Sequence, residues 1–395
     1  MAHHFVRLTP RDPLIARDGR PFGASSGNRM RSLPWFYPSL FSGSLRSLLG
    51  KATGGFSTET VAALKALEIA GPLALLNNTL FFPRPLDARV FESGAERHCY
   101  GLRPGALGAG EGVDLPGPNL LPTLLPDGAN MDGKPAEIAQ FWSSARMADW
   151  LTRSSASGFT APPDNTPSSA DTGYLAAPPV DFRTHTALSD EKGVADDGKL
   201  FITAGLDLNL PNTADIVQLV SRVGNSGWCQ QVLEGLAQVH PMGGDRRLAN
   251  WQHTDDQHLW ECPQGVASAL ARATKIRLYL ATPGLFDGGW LPGWLDKTTF
   301  TGCPPGIDGG LKLTLRAVCS ERWQPLSGWS LERNSWGPKA ARRMVPAGSV
   351  YFFTCEQGDA AQLVPRWLSS VCDKAQDRND GFGLALWGTW DEHKN

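Results

Sequence analysis

The side chains with the clearest chemistry in this sequence are arginines. Between residues 1 and 51 stand Arg7, Arg11, Arg17, Arg20, Arg29, Arg31, Arg46 and Lys51 against Asp12 and Asp18, a local excess of six positive charges in a chain of net charge −2. Guanidinium forks bind phosphate oxygens two at a time. Gly19, Gly23 and Gly27 let a backbone approach a ligand closely. Trp35, Phe36 and Tyr37 offer flat faces on which unpaired bases stack. A helix start just beyond adds unpaired N–H groups and a positive dipole end. Phosphate binding beside stacking suits single-stranded nucleic acid. The plainer alternative, a solvated basic surface over an aromatic plug, stays open from these residues alone.

A second cluster begins at Arg322, where Arg322, Arg333, Lys339, Arg342 and Arg343 outnumber Glu321 and Glu332, with Trp323, Trp329 and Trp336 between them. Arginines interleaved with aromatics suit unpaired RNA. They equally suit a protein-docking loop, because Trp and Arg dominate interface hot spots. Near the C-terminus, Gly381, Phe382 and Gly383 form a Gly loop before an apolar run, most simply a tight turn.

Catalytic chemistry is poorly represented. The eight histidines show no metal-ligand spacing such as HExxH. His185, between Arg183 and an acidic stretch, is the one candidate general base, with capping or hydrogen bonding as the plainer role. HTDDQH at 253–258 reads as a solvated turn sooner than a metal corner. There is no phosphate loop, nucleophile elbow or convincing carboxylate pair. The expectation is no catalytic residue, no metal and no cofactor. Seven cysteines without a CxxC pair argue against a disulfide framework and a zinc ribbon and for a reducing compartment. The net charge excludes a general polyanion-binding coat. With no apolar signal core and no run of about 20 apolar residues, the chain is expected to be soluble and cytoplasmic, with no membrane partner.

These side chains need elements to position them. A length of 395 residues suggests two domains. FVRLTP predicts an opening strand, and a helix is expected from an N-cap at Ser39, with Phe41, Leu45 and Leu48 inward and Ser42, Gly43 and Arg46 on a small polar face. A second helix over 58–69 and a strand over 79–82 follow. Residues 101–135 and 154–180 look like long insertions, the latter of low complexity. Alternation from Leu200 to Leu210 predicts a half-buried strand, and the polar residues before it a protruding hairpin near 183–204. In the second half, CQQVLEGLAQVH predicts a helix with Val232, Leu236 and Val239 on one face, ending at GGDRR. The run 275–280 predicts a strand with Lys275, Arg277 and Tyr279 turned away from Ile276, Leu278 and Leu280. Further strands are expected in 311–318, 350–356 and after Gly383, with a short helix disturbed by Pro365. The fold class expected is α+β, with antiparallel sheets in two units, 1–210 and 211–395.

The segments RDPLIARDGRPFG, YPSLFSGSLRSLLG, HPMGGDRRLA, LYLATPG, GPKAARRMVPAGSVYFF and GFGLALWG together resemble the RAMP superfamily. Within it they look like the subunits that bind the crRNA 5′ tag in type III-B (Cmr) CRISPR effector complexes. The resemblance runs over nearly the whole chain in the same order, the two long insertions excepted. It implies two ferredoxin-like (RRM-like) domains and a non-catalytic subunit holding the crRNA tag. The implied partners are the large polymerase-like subunit, the first backbone RAMP subunit and, indirectly, target RNA. Carried over, it places RNA on Arg17, Arg20, Arg29, Arg31, Tyr37, Ser42 and Arg46. Arg183 and His185 on the thumb-like hairpin, Arg246 and Arg247, the cluster of Arg322, Lys339, Arg342 and Arg343, and Gly381, Phe382 and Gly383 through backbone amides complete the set. Two other readings remain: a RAMP endoribonuclease using His185 or Tyr37, and an aromatic-rich carbohydrate-binding or protein-interaction module.

Overall fold

The computed structural model describes residues 3–20, 28–94, 96–117, 119–130, 133–153, 159–164, 172–189, 191–330 and 336–391. Gly23, Gly27 and Arg333 lie outside them.

Two antiparallel sheets form the body. The first has eight strands, in spatial order Tyr174–Leu175, Phe141–Ser143, Thr79–Pro83, Ile69–Leu76, Gln218–Val223, His4–Pro10, Leu248–Thr254 and Ala237–Pro241. The second has six: Thr301–Gly302, Lys312–Cys319, Val350–Gln357, Lys275–Leu280, Leu384–Thr389 and Ser369–Ser370. The opening strand takes Gln218–Val223 on one side and Leu248–Thr254 on the other. Strands beyond residue 210 therefore complete the first sheet, and sheet membership does not follow the boundary expected there. The sheets share one apolar cluster, in which Leu73, Leu75 and Phe82 of the first join Ile276, Leu278 and Leu386 of the second.

The helix Pro38–Ala52 closes the other face of the first sheet. It starts two residues earlier than expected, with Tyr37 and not Ser39 at the cap, because Pro38 sits in its first turn after an extended Tyr37. Phe41, Leu45, Leu48 and Leu49 are buried against Val6, Leu8, Leu219 and Trp251. Such burial is worth about 1.5–3 kcal/mol for each large side chain. Ser57 caps the next helix, Thr58–Ala66, by accepting from Thr60 N–H. That helix stops short of 69 because Ile69–Leu76 is a central strand, buried at every position. Such a strand shows no alternation to find.

Two further expectations fail for tertiary reasons. Only Gln230–Glu234 of the CQQVLEGLAQVH run is helical, and Ala237–Pro241 is an edge strand hydrogen-bonded to Leu248–Thr254. Arg277 and Tyr279 do not turn outward, because the second sheet is covered on both faces and both side chains are fully buried. The hairpin is present as a two-stranded ribbon, Val180–Leu188 paired with Ala195–Leu206. Insertion 101–135 folds onto the second sheet, where Leu121 N–H donates to Arg316 O at 2.7 Å.

Candidate nucleic-acid interface

At the root of the ribbon the chain builds a cleft from its N-terminal basic segment. Asn28–Arg29 adds to the ribbon as a short parallel strand, with Met30 N–H donating to Ile202 O at 2.9 Å. Strand alternation then decides where each side chain goes: Met30 is buried, whereas Arg29 and Arg31 are exposed. Arg29, Met30, Arg31, Ser32, Val180, Phe182 and Ala204 line an open cleft of about 490 Å³. None of these described lining side chains is acidic. The Arg29 guanidinium lies 4.4 Å from the centroid of the Phe182 ring, which is 52% exposed. Arg17 flanks the cleft through a bridge to Ser32, and Asp18 N–H donates to Arg31 O at 3.2 Å. Arg20 is exposed and paired with Asp18 at 3.2 Å. The loop carrying exposed Arg246 is fastened to the same strip, since Gly244 N–H donates to Ile15 O at 2.9 Å. Arg247 on that loop is mostly covered and paired with Asp245 at 3.1 Å. Exposed cations beside a half-exposed ring, with no carboxylate among the described lining residues, can hold phosphates and stack a base.

Several expected RNA contacts are instead structural. Trp35 packs on Phe36 and on Phe141, 4.6 Å away. Tyr37 packs against Leu285, Met344, Cys372 and Phe382. Burial, with Asp18 nearby, pushes its hydroxyl up to about 12, so it is no general base at neutral pH. Ser42, on the first helix, is buried. Arg46 reaches Asp380 and donates to Asn379 O at 2.8 Å and Leu67 O at 3.0 Å. Arg342 makes a bidentate pair with Asp377, both bonds at 2.6 Å.

The Gly381–Gly383 loop is buried. Its amides are consumed inside the protein, Gly381 by Arg378 O, Phe382 by Asp377 O and Gly383 by Pro283 O. Gly381 has φ +93°, and a Cβ there would meet Gly71 O at 2.2 Å. The loop therefore presses the second sheet onto the central strand of the first, and cannot offer amides to phosphate.

The other face of the ribbon is likewise occupied. Arg183 pairs with Asp181 at 2.6 Å, and His185 shares a 2.9 Å bond with Thr203 while stacking on Phe201. No acid–base pair joins His185 to Tyr37, which packs in a separate cluster. Among the described residues no cluster of three His, Cys, Asp or Glu could hold a metal. In the 322–343 segment Arg322, Lys339 and Arg343 are exposed.

Two features escaped the sequence reading. Phe182, the ring that lines the cleft beside Arg29, was hidden in the alternating VDFRTH run. The fully buried carboxylate Asp87 receives Trp150 Nε1 at 2.8 Å, Arg277 Nη1 at 2.7 Å and Arg103 Nη1 at 3.4 Å. Burial first, then Arg277, lowers the pKa of Arg103.

No curated protein matches this sequence. Among solved structures, the Type III-B Cmr-beta bound to cognate target RNA contains a chain 13% identical, covering 88% of this chain and 86% of its own, with a TM-score of 0.46. The same assembly bound to target RNA and AMPPnP gives 13% identity, the same coverages and a TM-score of 0.47. A chain of the Csm3-Csm4 subcomplex of the type III-A CRISPR-Cas interference complex is 11% identical, covering 90% and 94%, with a TM-score of 0.36. Likenesses this distant leave the assignment to the sequence family. Residues 6–390 match the family of CRISPR-associated proteins described as Cas_Cmr3, and the chain belongs to that family.

Proposed function

We propose that this protein is a non-catalytic RNA-binding subunit of a type III-B CRISPR effector, which holds the 5′ tag of the crRNA in the cleft at the root of the ribbon. The observation that carries the reading is the set of exposed cations Arg29 and Arg31 lining the cleft beside Phe182 and Arg17 flanking it, with no carboxylate among the described lining residues. Membership of the family supports the CRISPR setting. Phosphates sit on the guanidinium groups, and an unstacked base lies on Phe182 beside Arg29. In this reading each sheet with its helices is a much-extended ferredoxin-like RAMP unit. The subunit bridges the large polymerase-like subunit to the first backbone RAMP subunit in the cytoplasm and meets target RNA indirectly. Among the described residues no helix is long and apolar enough to cross a membrane.

The test is binding of the full chain to tag RNA at several salt concentrations. Replacing both cleft arginines, Arg29→Glu with Arg31→Glu, is expected to weaken binding about 30- to 100-fold and to reduce the slope of log affinity against log salt by roughly 1.4, at about 0.7 per lost single-strand phosphate contact. Unchanged affinity in a folded double variant eliminates the cleft. Repeat RNA incubated with the wild type is expected to stay intact, and metal-independent cleavage lost in His185→Ala would replace this reading with an endoribonuclease.

A further inference from the structure

The described stretches 322–330 and 336–344 meet the loop that flanks the cleft. Short paired stretches, Gln324–Leu326 with Arg342–Met344 and Trp329–Ser330 with Gly337–Pro338, make them a narrow hairpin. Leu326 and Tyr37 both pack against the cluster that holds Met344, and a Cβ on Gly19 would lie 2.1 Å from Ser327 Oγ. The loop between Arg17 and Arg20 therefore touches the hairpin. Arginine clusters about 300 residues apart in sequence become one strip.

On this hairpin the aromatic rings stand out of the protein. Trp329 and Trp336 are 55% and 66% exposed, with ring centroids 6.4 Å apart and planes at 88°. Arg343 covers the exposed Trp323 ring at 4.8 Å. The Lys339 stem runs beside Gly328, next to Trp329. The acid at the hairpin's base, Glu321, is bound by Arg84 at 3.0 Å.

We infer that the hairpin is a second stacking surface for single-stranded RNA, onto which the strand passes as it leaves the cleft. Rings set edge to face cannot sandwich one base, so each indole takes a base on its own open face while Lys339 and Arg343 meet the backbone. RNA is favoured over a protein partner by charge and continuity. Arg322, Lys339 and Arg343 are exposed on the described stretches while Glu321 is held by Arg84, whereas the cores of protein interfaces are depleted of charged residues. The surface also joins directly onto a cationic cleft. The inference rests on the proposed RNA binding and extends its footprint.

The experiment compares a short unstructured RNA, sized to fill the cleft, with a longer one, on the full chain. The Trp329→Ala, Trp336→Ala variant is expected to lose about ten-fold in affinity for the longer RNA, the scale of one or two stacked bases, and nothing for the short one. The corresponding Phe variant should recover most of that loss. Photo-cross-linking of the long RNA should map to peptides holding Trp329 or Trp336. Wild-type affinity of the Ala variant for both lengths overturns the inference while leaving the cleft standing. So does intact RNA binding combined with lost association with other subunits of the effector, which would make the hairpin a protein dock. If Arg29→Glu with Arg31→Glu changes nothing but the Ala variant still loses long-RNA affinity, the cleft fails and the hairpin stands.

Discussion

The arginines of the cleft and those of the joint between the sheets are the same residue type put to opposite ends. Arg17, Arg29 and Arg31 finish in solvent or over an aromatic ring. Arg46, Arg342, Arg103 and Arg277 finish on Asp380, Asp377 and Asp87, and on main-chain carbonyls. An exposed cation without an acid keeps its full donor set for a ligand. A buried or half-buried one has spent its donors on architecture, and removing its partner leaves a desolvated charge. Charge density in the sequence does not separate the two groups. What separates them is whether a carboxylate from elsewhere in the chain arrives.

The largest effect should come from the joint. Asp87→Ala leaves Arg103 and Arg277 buried without a counter-charge, and is expected to destabilise the chain by about 3–5 kcal/mol in urea unfolding. The fraction still folded should bind tag RNA with wild-type affinity. A loss below about 1 kcal/mol would mean that the hub does not hold the sheets together. The cleft double variant is the converse case. It should lose RNA affinity while its unfolding midpoint stays within about 0.5 kcal/mol of wild type, as for other exposed sites. If instead it unfolds, the cleft cations belong with the joint.

Arg46→Met sharpens the contrast, because Arg46 lies in the same basic segment as the cleft residues. Its guanidinium is largely covered, with Asp380 and two carbonyls as acceptors. Loss of charged hydrogen bonds at such a site is expected to lower stability by about 1.5–3 kcal/mol. Tag affinity of the folded variant should not move. A loss of affinity without a loss of stability would return Arg46 to the RNA surface.

The sequence carried much of the frame. Phe41, Leu45 and Leu48 marked the first helix, and alternation marked the ribbon, because both elements are amphipathic and show their period. Ile69–Leu76 showed none, being buried on both faces. Ala237–Pro241 imitated a helix because its apolar spacing crosses a turn at Gly235. For the candidate cleft, the positive segment was legible, and so were Arg17, Arg29 and Arg31, which the structure leaves exposed. Arg46, Arg342 and the Gly381–Gly383 loop could not be set apart, since Asp380, Asp377 and Gly71 reach them only through tertiary packing. Trp35 and Tyr37 could not be set apart from open rings for a similar reason: the chain enters its helix there, and both rings pack partly buried against core clusters. In the proposed reading Phe182, some 150 residues away in sequence, takes their place.

The smallest effect tests the edge of the cleft. Arg17 is exposed and bridged to Ser32 through backbone alone, so its side chain contributes little to folding. If the RNA backbone runs along the strip from Arg31 past Arg17, Arg17→Ala removes one phosphate contact. Affinity should fall about three- to five-fold, with a salt slope shallower by roughly 0.7. Because a phosphate contact carries no sequence information, the loss should be equal for tag RNA and for an unrelated single strand. A loss confined to tag RNA would instead make Arg17 a reader of a base edge. No loss at all would end the RNA path at Arg31 and detach the hairpin from it.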